Sequence, residues 1–292
     1  MSGVDRRRAG LTGLAIVAVL GLAGAGCGSD DDEGDSGGGG GESQAAKPSK
    51  LAIEVTGSGK KPTFTVPKSV EGGVVEIQLT NSTKSDRGAQ LVGAKAGHTP
   101  QEALAAAAAW GEKGKPLPDW VILAGGVGTV PGGKSASVTQ DLAPGQYLVA
   151  DIDTNANAEF EVTGDSGSGE LASDGGTIDA TEYQFTSTGL KAGTNRVLFD
   201  NIGGEPHFIA GVGLRPGSTI ADVRKFFKTE KGEPPIDESR NFTTAVLDGG
   251  TKQSVELELE DGKYALLCFV PDREGGPPHV VKGMISEAVV GG

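Results

Sequence analysis

Soft metal donors are scarce in this chain. Methionine occurs twice in 292 residues, once as the initiator, so Met284 is the only internal one. There are two cysteines, Cys27 and Cys268, and three histidines, His98, His207 and His279. So few thiols exclude a disulfide-stapled scaffold, and so few imidazoles exclude an enzyme with several histidine-bound metal centres. Basic clusters are missing beyond the first residues: Lys and Arg number 26 against 39 Asp and Glu, for a net charge of −13. That balance argues against nucleic acid as a partner. A thiol outside a reducing compartment is a liability unless it is buried or holds a metal.

The scarce donors that do occur are concentrated. Tyr264–Met284 reads YALLCFVPDREGGPPHVVKGM: an apolar strand over 264–270, a Gly/Pro-punctuated loop, and a return towards a final strand near Ile285. Cys268 stands at the strand end, His279 in the loop and Met284 at its exit. A second imidazole is offered upstream by His207 in NIGGEPH. Two imidazoles, a thiolate and a weak axial thioether suit a soft, redox-active metal. Taken singly, each residue has an ordinary reading as well. Cys268 and Met284 fit a core, His279 a loop, and His207 the start of a strand.

The N-terminus reads as an address and a leash. Arg6, Arg7 and Arg8 precede an apolar run, Leu11–Ala25, of signal-peptide length and short for a membrane span. It ends in LAGAGC, which resembles the lipobox of bacterial lipoproteins and implies acylation of Cys27; ordinary cleavage near Gly26 or an uncleaved anchor are the alternatives. Residues 1–26 are thus expected to be a lipoprotein signal peptide. Residues 27–50, with an acidic run and then Gly37–Gly41, have almost nothing to bury and read as a disordered tether. The expected location is extracytoplasmic, anchored to the bacterial cell membrane through the N-terminal lipid.

The body is an internal duplication. Val74–Asn81 (VVEIQLTN) matches Thr194–Asn201 (TNRVLFDN), and at the same spacing Gly97-His98-Thr99 falls on Gly217-Ser218-Thr219. Further on, GGKSASVTQDLAPGQY from Gly132 matches GGTKQSVELELEDGKY from Gly249. The expected domains are 51–164 and 177–292, joined by a linker, 165–176, rich in Gly, Ser and Asp. Alternation such as Val75-Ile77-Leu79 and Val255-Leu257-Leu259 predicts strands. One helix is expected per copy: Thr99-Pro100-Gln101-Glu102 is a capping box with proline at the first helical position, and Thr219–Asp222 starts the other. The fold class is mainly β: two tandem Greek-key sandwiches, each with a short helical insertion. Under the duplication His207 falls on Arg87 and Cys268 on Asp151, so the first copy keeps none of the donors. His98 sits beside a helix cap, and Trp110 and Trp120 read as core.

The second copy resembles the cupredoxins, the blue-copper proteins of the plastocyanin and azurin type. The resemblance rests on N-x5-H over Asn201–His207, and on Tyr264, Cys268, Pro278-His279 and Gly283-Met284 in the pattern Y-x3-C followed by P-H-x3-G-M. It implies one copper ion in the second domain, with His207, Cys268 and His279 as equatorial ligands and Met284 as the axial one. It also implies one-electron transfer, with an apolar docking patch around His279 formed by Pro277, Pro278, Val280 and Val281. Two features differ from the small electron carriers: ten residues separate Cys268 from His279, and Phe208 follows the first histidine where the family commonly has Asn. The redox partner is not legible. A non-redox cupredoxin-like binding module, or a copper carrier displayed at the cell surface, is the alternative reading. A multicopper enzyme would have only His98 left for a further centre.

Overall fold

A computed structural model describes residues 48–291 apart from 60, 152, 155 and 166–168. The expected signal peptide and the lipidation site Cys27 lie outside the described residues, as does nearly all of the expected tether. The expected tether runs to residue 50, but the first strand, β1 (Ser49–Ser58), already begins at Ser49. Its alternating pattern buries Leu51, Ile53 and Val55 on one face.

In the first half, β1 turns back into β2 (Lys61–Thr65) and also runs parallel to β4 (Gly73–Asn81), after the short β3 (Ser69–Glu71). The second face is built from β5 (Arg87–Ala94), β6 (Val121–Val130), β8 (Gly145–Ala150) and β9 (Asn157–Thr163), with β3 at its edge. Between β6 and β8, β7 (Ser135–Leu142) returns to pair antiparallel with β4. Helix α1 (Pro100–Lys113) joins β5 to β6. Its N-cap Thr99 accepts from the Glu102 N–H, and the Glu102 carboxylate accepts from the Thr99 N–H, as the sequence predicts.

The second half repeats this order without a counterpart of β3. Strands β10 (Thr177–Thr181) and β11 (Gln184–Thr188) form a hairpin, and β10 runs parallel to β12 (Gly193–Asn201) as β1 does to β4. Strand β15 (Thr251–Leu259) pairs antiparallel with β12. The other face comprises β13 (Ala210–Leu214), β14 (Ile236–Thr243), β16 (Gly262–Leu267) and β17 (Ile285–Val290). Helix α2 (Ile220–Thr229) follows β13; Thr219 and Asp222 close its capping box, Val223 is buried, and Ile220 and Phe227 pack against the core beside it.

The halves share a sheet. Strand β15 pairs antiparallel with β7, joining eight strands in the order β11-β10-β12-β15-β7-β4-β1-β2. Val138 and Val255, equivalent under the duplication, face each other in this pairing. A local two-fold axis therefore relates the halves, as in an isologous dimer. One apolar cluster runs through both, including Ile77, Val138, Leu142, Phe199 and Val255. The segment between the copies is docked: Leu171 is buried, Asp174 and Gly175 donate their N–H groups to the Arg196 carbonyl, and the Ser254 hydroxyl donates to that of Ala172.

Candidate metal centre

Three segments deliver the donors. At the end of β12, buried Asn201 donates through Nδ2 to the carbonyls of Glu205 (2.8 Å) and Leu247 (3.0 Å), closing the loop that follows. The loop ends at His207, whose N–H donates to the Leu247 carbonyl at 3.0 Å and whose carbonyl accepts from Leu247 at 2.8 Å. Strand β16 runs straight into Cys268, which has no exposed surface. The chain then loops out and returns: His279 N–H donates to Val270 (2.9 Å), Val280 N–H to the Cys268 carbonyl (2.7 Å), and Met284 N–H to the His279 carbonyl (2.9 Å). Each donor residue is thus anchored by its own backbone before any ion is considered.

The side chains converge. His207 Nδ1 lies 3.0 Å from His279 Nδ1 and 3.7 Å from Cys268 Sγ. Donor atoms of His207, Cys268 and His279 all lie within 4.8 Å of one another, close to the ~4–4.6 Å reach of one ion with bonds of ~2.0–2.3 Å. All three residues are fully buried, and so is Met284. The three equatorial donors that the resemblance to the cupredoxins implies are thus brought together. No family model matches the chain, and no curated protein matches it. Among solved structures it is similar to a dithionite-reduced auracyanin from the photosynthetic bacterium Roseiflexus castenholzii, at 22% identity over 40% of this chain and 95% of that one, with a TM-score of 0.25. It is similar to auracyanin B at 21% identity over 40% and 87%, TM-score 0.26. A multicopper oxidase aligns over 82% of this chain and 87% of its own at 13% identity, TM-score 0.19.

Burial keeps the site neutral without metal. Burial, and secondarily the neighbouring His279, lower the His207 pKa to about 4. Burial also lowers that of His279, against the opposing pull of Asp272. The Cys268 thiol is pushed up to about 12 by burial, partly offset by the N–H groups of Phe208 and Val270 donating to sulfur. His207 Nε2 is buried with no hydrogen-bond partner among the described residues. Two neutral imidazoles with facing Nδ1 atoms beside a thiol form a poor hydrogen-bonding group but a ready donor set: an ion must displace only the thiol proton. The donor types match a His2Cys copper centre with a weak thioether. The residues fit the cofactor that the resemblance implies.

Sequence reasoning missed the surroundings of His279. Its Nε2 lies 3.0 Å from the Asp272 carboxylate, which also accepts from the Tyr183 hydroxyl (3.0 Å) and from Lys282. Burial raises the Asp272 pKa, but hydrogen bonds from Lys282 and Tyr183 outweigh it and hold the carboxyl below its usual range. The Tyr183 ring meets the imidazole edge-on at 5.2 Å, and the Lys282 ammonium lies 4.8 Å from that ring's centroid. Tyr183 occupies the β10–β11 turn at φ +65°, a conformation rare for a bulky residue. Asp272 and Lys282 flank His279 in sequence and were within reach of inspection; nothing local to Tyr183 announces its role.

The expected apolar patch is rearranged. Pro277 and Val281 are exposed, but Val280 turns into the second apolar cluster, because its N–H is bound to the Cys268 carbonyl. The imidazole edge itself is buried. His98 takes no part in the cluster; it stacks on Trp120 at 3.9 Å and lies 3.9 Å from Glu102. In the first half, the equivalents of His207 and Cys268 form a different buried couple: Arg87 Nε lies 3.5 Å from Asp151 Oδ2.

Proposed function

We propose that this chain is a type 1 copper protein, tethered outside the cytoplasm by an N-terminal lipid, that passes single electrons. The observation that carries the reading is the convergence of His207, Cys268 and His279 at one buried point, with Met284 beside them in sequence and equally buried. Copper bound there would supply a Cu(I)/Cu(II) couple. The chain's part is to hold the donors still. His207 is paired to Leu247 through both backbone groups, and Cys268 and His279 are stitched together through Val270 and Val280. Donors that cannot shift keep the rearrangement between oxidation states small. The net charge of −13 favours a basic partner and makes docking sensitive to salt. With His98 as the one remaining histidine, an electron carrier is preferred to a multicopper enzyme.

A copper carrier is the second reading. It is favoured by the seal over His279, whose Nε2 is taken by Asp272 and whose ring lies beneath Tyr183. A Cu(II) titration of the chain from residue 28 onwards, followed by visible absorption and electron paramagnetic resonance, separates the two. An intense thiolate-to-copper band with narrow hyperfine splitting is the expected result. Stoichiometric binding without that band would select the carrier, and no stoichiometric binding would end the copper reading.

A further inference from the structure

The first half contributes no residue to the donor cluster, yet it reaches the stretch that separates Cys268 from His279. Trp110, near the end of α1, donates its indole N–H to the Asp272 carbonyl at 2.7 Å. The Leu117 N–H donates to the Arg273 carbonyl at 2.6 Å, and the Gly276 N–H to that of Gly114 at 3.2 Å. In return the Arg273 guanidinium donates to the carbonyls of Pro118 and Val121, both at 3.1 Å, and pairs with Asp248 at 2.6 Å. The two backbones touch. Gly114 is the left-handed C-cap of α1, and a Cβ on Gly275 would lie 2.3 Å from the Gly114 oxygen. Asp119, Lys95 and Asp248 line the charged cleft beside this contact.

We propose that the segment from Trp110 to Val121 is the holder of the ligand loop, and that Trp110 is a positioning residue for His279, acting through Asp272. Within 271–276 the loop's own backbone pairing is confined to the Asp272–Gly275 turn, where the Gly275 N–H donates to the Asp272 carbonyl. A ten-residue excursion so lightly tied would sample many conformations and would not fix an imidazole at its end. The clasp removes that freedom at one informative residue. Asp272 is gripped on its backbone by Trp110, and with its carboxylate it grips His279 Nε2. A carboxylate on the far nitrogen sets the ring's orientation and tautomer, and its loss typically weakens metal sites 10- to 100-fold. The half without donors thus sets the geometry of the half with them. The loaded-protein consequences rest on the copper reading above; the clasp does not.

The test is Trp110→Phe in the full chain, which keeps an aromatic ring and deletes the N–H. In the metal-free protein, amide exchange at Arg273–Gly276 and at Leu117 should rise about tenfold, as expected for one lost buried hydrogen bond, while β12 and β15 stay unchanged. With Cu(II) bound, the ion should leave about tenfold faster and the hyperfine splitting should change. Trp120→Phe, whose ring stacks on His98, should do neither. Should Trp110→Phe unfold the chain, Gly114→Ala serves instead: its Cβ would press on the Gly276 oxygen at 3.0 Å and must produce the same local loosening. Unchanged loop exchange in the folded variant overturns the proposal. Faster exchange in a chain that never shows a thiolate-to-copper band keeps the clasp and ends the copper reading instead.

Discussion

The two halves carry the same frame and opposite chemistry at equivalent places. Asn81 and Asn201 are both fully buried, and each donates to the carbonyl four residues on and to a second one across the sheet, Val130 or Leu247. Two residues beyond the first of those carbonyls, the first half has Arg87 against Asp151, and the second has His207 against Cys268. A charged pair carries its own counter-charge, with the Asp151 carboxylate 3.5 Å from Arg87 Nε; two neutral imidazoles and a thiol leave donor atoms aimed at one another. The frame therefore does not demand a metal. What distinguishes the second half is a set of side chains that remains incomplete until an ion arrives, and a loop long enough to bring His279 and Met284 back to Cys268.

The sharpest way to separate the halves is Asp151→Ala. It strands the buried Arg87 guanidinium and should cost ~3–5 kcal/mol in a denaturant melt, yet leave the copper spectrum as it was. A shifted spectrum would mean that the first half's couple bears on the site directly. A smaller effect is expected from acid on the metal-free chain. His207 takes up its proton at about 4 when folded and near 6.5 when unfolded, so the unfolded state binds more protons between those values. Stability should be full above pH 6.5, fall by about 3 kcal/mol as the pH drops to 4, and level off below; His207→Gln should remove much of the slope. Absence of that slope in the parent would mean that the imidazole is not held neutral. Smallest is the paired comparison of Asn81→Ala with Asn201→Ala. Each should lose ~1–3 kcal/mol for its unmet carbonyls, but only the second should hasten copper release.

Legibility followed the range of the interactions. Capping boxes are local, so Thr99 with Glu102 and Thr219 with Asp222 could be read directly, as could the alternation of β4, β12 and β15. The duplication pointed to two sandwiches, and the repeated spacing made the donors' scarcity meaningful. The pairing of β7 with β15 was invisible, because nothing in an alternating strand says which edge it will meet. Tyr183 was invisible for the same reason: it reaches His279 across a hairpin separated from it by the length of the second half. Trp110 read as core, and it is buried, but its indole N–H has a partner that only the assembled halves supply. Val280 was expected at the surface because the resemblance implies an apolar docking patch around His279; one backbone bond to Cys268 turned it inward.

The face-to-face meeting of Val138 and Val255 carries a consequence for concentration. In a dimer of separate chains, such an edge-to-edge seam would dissolve on dilution, and any property spread across it would depend on how much protein was present. Here the second partner arrives on the same chain, at an effective concentration fixed by a short connection rather than by expression level. A chain made sparsely can thus keep a dimer's architecture, one half free to bind and the other free to brace, at whatever abundance the cell makes it.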